Sequence, residues 1–369
     1  MSQPTSNQPL YFQIRETLKE KIERGELKPG DQIPIEADLI QQFGVSRITI
    51  KSALKLLVEE GLIYRIAGKG TFVADPHAPK PVSQLFAETG DAIKRVGFLS
   101  PLTNDEFSAH LLQGVQEACK DLNLILIVRS ASTQLEEMEG IRFLRAAGAD
   151  GLLIFPVDGE AYSEAILNLK TDGFPFVLID RYLPGIKTNA VYSDNYLGGY
   201  MGTEYLIKKG HKQIGIVSGT KSKTSSSEDR FSGYLDMAKK AGLKIEPSQW
   251  LTRIDEITYL DGAMTQEMVR DWLQSQPEIS AVFAFSSAFA FHVAEAAMKI
   301  GKKVPDELAI LSFDTPPIRD FQGYFFSRIE QQELKMGEEA VSLLLEAIED
   351  PSLLRQIVIP VSLMEGRTV

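Results

Sequence analysis

The stretch Phe43-Gly44-Val45-Ser46-Arg47-Ile48-Thr49-Ile50-Lys51-Ser52-Ala53-Leu54-Lys55-Leu56-Leu57-Val58 decides the reading of the first seventy-odd residues. Gly44 stands where a helix C-cap needs glycine, and Ser46 two residues later is an N-cap residue, so one short helix ends and another begins within a tight turn. In the second helix Ile50, Ala53, Leu54, Leu57 and Val58 form one apolar stripe. That leaves Arg47, Lys51 and Lys55 together on the other face, the only charges between Val45 and Val58. Two small helices across a short turn are helix-turn-helix spacing.

Upstream, Ile35, Leu39, Ile40 and Phe43 give the first of these helices its stripe. An earlier helix is marked by Tyr11, Ile14, Leu18 and Ile22, ended by Gly25 and the turn Pro29-Gly30-Asp31. Downstream, Leu62 to Ile66 and Thr71 to Val73 read as two strands joined by a hairpin tip, Ala67-Gly68-Lys69-Gly70. A helix-turn-helix places the N-terminal part of its second helix against base edges in the major groove of double-stranded DNA. Arg47 suits bidentate pairing with guanine, Ser46, Thr49 and Lys51 suit phosphate or base contact, and Lys69 between Gly68 and Gly70 can approach a phosphate or the minor groove.

The chain of 369 residues carries 39 basic and 50 acidic residues, a net charge of −11. That total argues against a nucleic-acid partner, but the acids lie mostly beyond residue 85, so a strongly acidic body is compatible with a DNA-gripping end. A single cysteine, Cys119, excludes an intramolecular disulfide and a cysteine cluster for metal, and reads as a small buried apolar residue. The four histidines lack ligand spacing, so no metal is expected, and no GxGxxG or Walker pattern follows a strand, so no nucleotide cofactor is expected either. No apolar run reaches the roughly 20 residues of a membrane span, and the polar start, Met1 to Gln8, has no secretion signal. A cytoplasmic protein is expected.

Residues 75–92 shift to proline and polar residues, and we read 76–92 as a linker between a domain at 1–75 and a body at 93–369. In the body, the apolar runs Val96–Leu99, Leu124–Val128, Gly151–Phe155, Phe176–Ile179, Ile214–Val217, Ala281–Phe285 and Leu308–Phe313 alternate with amphipathic helix-length segments. Such alternation predicts an α/β fold of parallel sheets covered by helices on both faces, and the length predicts two lobes. The lobes are expected at about 93–192 with 332–360, and about 193–331 with 361–369. In such folds ligands bind at the carboxyl ends of the strands, where Asp180 and Asp314 each follow an apolar run. Arg230 is read as opening a helix after a Ser-rich loop, Lys221 to Asp229. Taken singly, each has an ordinary alternative as a cap, a turn former or a surface cation.

Residues 9–74 resemble the GntR-family winged helix in Tyr11, Gln13-Ile14, Gly25, Leu27, Pro29-Gly30-Asp31, Pro34, Glu36, Leu39, Phe43 to Arg47, Thr49, Ala53-Leu54, Gly61-Leu62 and Gly68 to Val73. The resemblance implies that Arg47, Thr49, Lys51 and the wing glycines touch operator DNA. It departs at Ala37, where some relatives have arginine. The body resembles the ligand-binding domain of LacI/GalR repressors, itself similar to periplasmic sugar-binding proteins. The matching pieces are Val96-Gly97-Phe98, Ile179-Asp180-Arg181, Ser193-Asp194-Asn195 with Gly198-Gly199, Gly210-His211, Asp229-Arg230-Phe231 with Gly233-Tyr234, Val304-Pro305, Ser312-Phe313-Asp314, Gln331 and Met336-Gly337.

This second resemblance implies an effector pocket lined by Asp180, Arg230, Asp314 and Gln331, with Phe107 and Ser108 at its mouth and hinges near Tyr192 and Gln331. It departs at Ser286-Ser287, where relatives usually carry Asn-Asp; this removes an amide and a carboxylate from the implied pocket, in which Ser286 still counts among the effector-binding residues. The combined architecture is that of arabinose-type repressors. It implies a homodimer that binds a pseudo-palindromic operator and releases it on taking up a small sugar-like effector, without being an enzyme. The alternatives are a regulator responding to a non-sugar metabolite, an enzyme fused to a winged helix, and a transport binding protein. The enzyme would need a longer body with a cofactor lysine, and the transport protein would need a secretion signal and no DNA-binding end.

Overall fold

The computed structural model describes residues 9–66, 70–74, 93–101, 106–157, 163–219, 224–254, 262–314, 319–320 and 323–369. The expected linker at 76–92 and the wing residues Gly68 and Lys69 lie outside the described residues. The chain divides into two units, Met1–Ile93 and Lys94–Val369.

The first unit contains α1 (Leu10–Glu23), α2 (Glu36–Phe43), α3 (Arg47–Glu59) and the antiparallel pair β1 (Ile63–Ile66) and β2 (Gly70–Val73). Gly44 ends α2 with a left-handed φ of 65°, a conformation in which a Cβ would be strained. The Ser46 hydroxyl then accepts from the Thr49 amide at 3.3 Å, capping α3. Ile14, Leu18, Leu39, Ile50, Ala53, Leu54, Leu57, Ile63 and Val73 are buried in one core, so the helices hold together through the stripes the periodicity marked. Of the α1 stripe, Tyr11 in the first turn is 38% exposed and stands outside that buried core.

The second unit opens with β3 (Arg95–Ser100), α4 (Glu106–Asp121), β4 (Ile125–Ser130), α5 (Gln134–Ala146), β5 (Gly151–Ile154), α6 (Glu164–Thr171), β6 (Phe176–Ile179) and β7 (Ala190–Ser193). The chain then crosses to a second sheet through α7 (Asn195–Lys208), β8 (Ile214–Gly219), α8 (Ser225–Lys240), β9 (Trp250–Ile254), α9 (Gly262–Ser275), β10 (Ala281–Ala284), α10 (Ser287–Lys299) and β11 (Ala309–Phe313). A two-residue hairpin, β12 (Arg319–Asp320) with β13 (Gly323–Tyr324), precedes β14 (Ser327–Glu330). The chain returns through Gln331 to α11 (Glu333–Glu349) and β15 (Gln356–Ile359), and crosses a third time to β16 (Ser362–Met364).

The first sheet has the order β15-β7-β6-β5-β3-β4 and is parallel throughout. The second, β16-β14-β11-β10-β8-β9, is parallel apart from the antiparallel β14/β16 pair. Alternate residues of one strand serve opposite cores: Val96 and Phe98 face one cluster with Val177 and Ile179, and Leu99 faces the other with Leu152 and Ile154. Strands buried on both faces read as unbroken apolar runs, which is why the alternation was visible in sequence.

One packing device appears in both sheets. Helices α4 and α11 cross where Gly114 and Gly337 meet. A Cβ on Gly114 would land on the Leu334 carbonyl oxygen, and one on Gly337 would come within 2.6 Å of that of Leu111. Helices α7 and α8 cross likewise at Gly199 and Gly233, whose added Cβ atoms would strike the carbonyls of Arg230 and Tyr196. Glycine is required at all four positions because backbone fills the space a side chain would take.

Candidate functional site

In the first unit the exposed face of α3 carries Arg47 and Lys51. The Arg47 guanidinium is bound by Glu36 of α2, with Nε donating to Oε2 at 3.1 Å, so its charged end is held at the helix start while its side chain stays 71% exposed. Thr49 is half-buried, and its hydroxyl lies 2.9 Å from that of Ser46, within the cap. It therefore sits less openly than Arg47 and Lys51. Gly70, the described wing glycine, begins β2 with φ of 127°.

In the second unit the carboxyl ends of both sheets gather the polar residues. Asp180 follows β6 and Asp314 follows β11, and both hold left-handed backbone, φ 69° and 68°. Outside glycine this conformation is uncommon and concentrates at functional positions, and here it recurs at the end of one strand in each sheet. Arg230 lies within the field of both carboxylates. It is buried on α8, donates from Nε to Asn195 Oδ1 at 2.8 Å and from Nη1 to the Phe285 carbonyl at 2.6 Å, and lies 3.5 Å from the centroid of the Phe313 ring. Burial weakens its hold on its proton, and the charges of Asp314 and Asp180 oppose that effect.

Gln331, 3% exposed, donates from Nε2 to Asp314 Oδ1. Its Oε1 is buried with no hydrogen-bond partner among the described residues, an acceptor poised for an O–H or N–H from a ligand. Arg181 donates from Nε to Asp180 Oδ2 at 3.2 Å and from Nη1 to the Pro156 carbonyl at 3.1 Å, and lies over the Phe155 ring. Phe107 sits edge-on to the same ring, so it borders this cluster, with Ser108 beside it in the first turn of α4. Across the two sheets, the Tyr182 amide donates to Ser225 Oγ at 3.0 Å, and its hydroxyl donates to Asp229 at 3.1 Å.

One placement differs from the sequence reading. Residues 225–229 are helical, not loop: Thr224 caps α8, accepting from the Ser227 amide, so Arg230 stands in the second turn. The serines favoured a loop by composition, but Ser225 and Ser226 are buried, and tertiary packing overrides local preference. Ser286, next to the carbonyl that Arg230 holds, accepts from the Phe289 amide as the cap of α10.

Sequence reasoning had not singled out Asn195 for a role, nor the Phe285 carbonyl, Phe313, Glu137 or Glu333. Glu137 is fully buried on α5 and accepts from the Val157 amide at 2.8 Å, pinning the segment that follows β5. Glu333 opens α11 with its Oε2 4.0 Å from His110 Nδ1. Burial first, and then the carboxylates of Asp314, Glu330 and Glu106, push its pKa up to about 8. An acid among acids at a helix start gives no periodic signal. Among the described residues no cluster of His, Cys, Asp and Glu could hold a metal ion, and no helix is long and apolar enough to cross a membrane. Cys119 is buried, which pushes its thiol up to about 11.

Comparison with known proteins follows the same division. Residues 10–73 match the family of bacterial regulatory proteins, gntR family, and residues 96–319 match the periplasmic binding protein domain. The arabinose metabolism transcriptional repressor of Geobacillus stearothermophilus is 26% identical over 351 residues, covering 93% of this chain and 92% of that protein. The ribose operon repressor of Haemophilus influenzae is 25% identical over 260 residues, covering 70% and 76%. Among solved structures, a transcriptional regulator CelR–cellobiose complex has a TM-score of 0.66 at 20% identity, covering 88% of this chain and 92% of that one. A regulatory protein of the LacI family from Chloroflexus aggregans has a TM-score of 0.65 at 23% identity, covering 74% and 98%. With more than half of its length matched, the chain belongs to the periplasmic binding protein domain family, and it carries a gntR-family DNA-binding domain in front of that body.

Proposed function

We propose that the protein is a repressor of carbohydrate-utilisation genes, released from a pseudo-palindromic operator by a small sugar-like effector bound between the two sheets of its body. The observation that carries this reading is that Asp180, Asp314 and Gln331 stand at strand ends of the two sheets beside Arg230 of α8, with the Gln331 Oε1 acceptor unsatisfied among the described residues. Carboxylates and an amide that accept, beside a guanidinium that donates, suit the alternating hydroxyls of a sugar ring. The arabinose and ribose repressors among its relatives agree with that class. For release, the ligand must bind the two conformations of the body unequally. Tyr182, with its bonds to Ser225 and Asp229, ties the lobes in the conformation described.

The protein acts in the cytoplasm, as a homodimer and not as an enzyme. The homodimer would cover the exposed side chains Val128, Leu135 and Phe143 of β4 and α5, or Met264, Phe291 and Met298 of α9 and α10. A mobility-shift titration against the DNA upstream of its own gene, with a panel of pentoses and hexoses, tests the reading. One sugar should release the complex, and Asp314→Asn should leave operator affinity unchanged while removing the release. Retention of the complex with every sugar would defeat induction by sugars, and sedimentation as a monomer at all concentrations would defeat the homodimer.

A further inference from the structure

We propose that Ile48 reads a thymine C5-methyl group in the major groove, making it a specificity-determining residue of the DNA-binding unit. Ile48 is 78% exposed, the most exposed large apolar side chain among the described residues. It lies in the first turn of α3 between Arg47 and Thr49. Lys51, Ser52 and Lys55, at three, four and seven residues onward, share its side of the helix. Ile50, Ala53, Leu54 and Leu57, all at most 2% exposed, lie on the other side. Ile48 is therefore near the middle of the solvent face, and no core contact explains it.

Local preference does not explain it either. A β-branched apolar residue has no advantage in a first turn, where polar and acidic side chains satisfy the open amides and the helix dipole. A single exposed isoleucine is unremarkable on an ordinary surface. This one stands at the end of the helix that meets base edges, next to Arg47 and one turn from Lys51. The apolar feature of the major groove is the thymine methyl, and an aliphatic side chain is its matching partner. Arg47, tethered by Glu36 at 3.1 Å, sits one residue away, so a guanine contact and a thymine contact would fall on neighbouring bases.

The proposal rests on the DNA-binding reading, and its test separates the two. An operator is recovered with the full-length wild type by selection from random duplexes, and each thymine is then replaced by deoxyuridine, which lacks only the methyl group. The wild type should lose affinity about four-fold at one thymine in each half-site, the factor expected for one buried methyl-sized group. Ile48→Ser should bind the thymine operator more weakly by a similar factor and no longer distinguish thymine from deoxyuridine there. Ile48→Val, which keeps the branched methyls, should retain most of the discrimination, and both variants should melt with the wild type. Full discrimination surviving in Ile48→Ser, or none in the wild type at any position, overturns the proposal. Failure of the wild type to select any sequence would instead remove the DNA-binding reading, and the proposal with it.

Discussion

The face of α3 and the strand ends of the body solve the problem of presenting polar groups in opposite ways. On α3 the core stripe is buried and the residues offered for binding stand in solvent, with Arg47 held by one surface ion pair. In the body, Asp180, Arg230 and Gln331 are each at most 6% exposed, and they bond to neighbouring side chains and backbone: Arg230 to Asn195 and the Phe285 carbonyl, Gln331 to Asp314, and Asp180 to Arg181. A surface pair contributes little to stability, whereas a buried one leaves an uncompensated charge when a partner is removed. The contrast teaches that binding and stability are separable at the first site and entangled at the second.

The most damaging change should be Gly233→Val, which drives a side chain into the Tyr196 carbonyl at the α7/α8 crossing. We expect destabilisation exceeding about 5 kcal/mol, read as loss of the folded body in urea titration. A near-normal midpoint would mean that the helices can part without cost. Next, Arg230→Ala should cost about 3–5 kcal/mol, because Asp180, Asp314 and the Asn195 and Phe285 oxygens lose their shared cation. A change within experimental scatter would place Arg230 with the exposed cations and erase the contrast.

Glu333 supplies a pH test of the buried side. Its folded pKa of about 8 stands above the ordinary 4.5, so the native protein holds a proton that the unfolded chain gives up. Stability should therefore fall as pH rises from about 4.5 to about 8 and level off above. Glu333→Gln should remove that slope and gain about 4 kcal/mol at pH 8, with no gain below pH 4. A parallel pH profile for the two proteins would refute the burial argument. The smallest stability effect belongs to Arg47→Ala, expected within about 0.5 kcal/mol of wild type in denaturation yet weaker by about 1–3 kcal/mol on specific DNA. Equal losses on specific and random DNA would reduce Arg47 to a phosphate contact.

Much of the architecture was legible because its signals are periodic. The stripe Ile50, Ala53, Leu54, Leu57 marked α3, and apolar runs marked the central strands of both sheets. The strands β7, β9, β14, β15 and β16 escaped notice. They are short and mix polar residues into the run, as in Ser327-Arg328-Ile329-Glu330, and β9, β15 and β16 lie at sheet edges, where one side lacks a neighbour to demand apolar residues. The candidate site was visible as single residues following strands and through family resemblance, but the left-handed backbone of Asp180 and Asp314 and the bond from Gln331 to Asp314 were not.

What the sequence alone determined is the class of each part: a helix-turn-helix whose basic face stands clear of its core, and an alternating α/β body. Local patterns suffice for that, since a stripe or a run is written within a dozen residues. Only the tertiary structure decided that Arg230, Asn195 and Asp314, far apart in the chain, share one cluster, that Ser286 serves a helix end, and that Glu333 holds its proton to about pH 8. Those outcomes depend on burial and on which distant carboxylates and carbonyls the three crossings bring together, and no local pattern of residues encodes that.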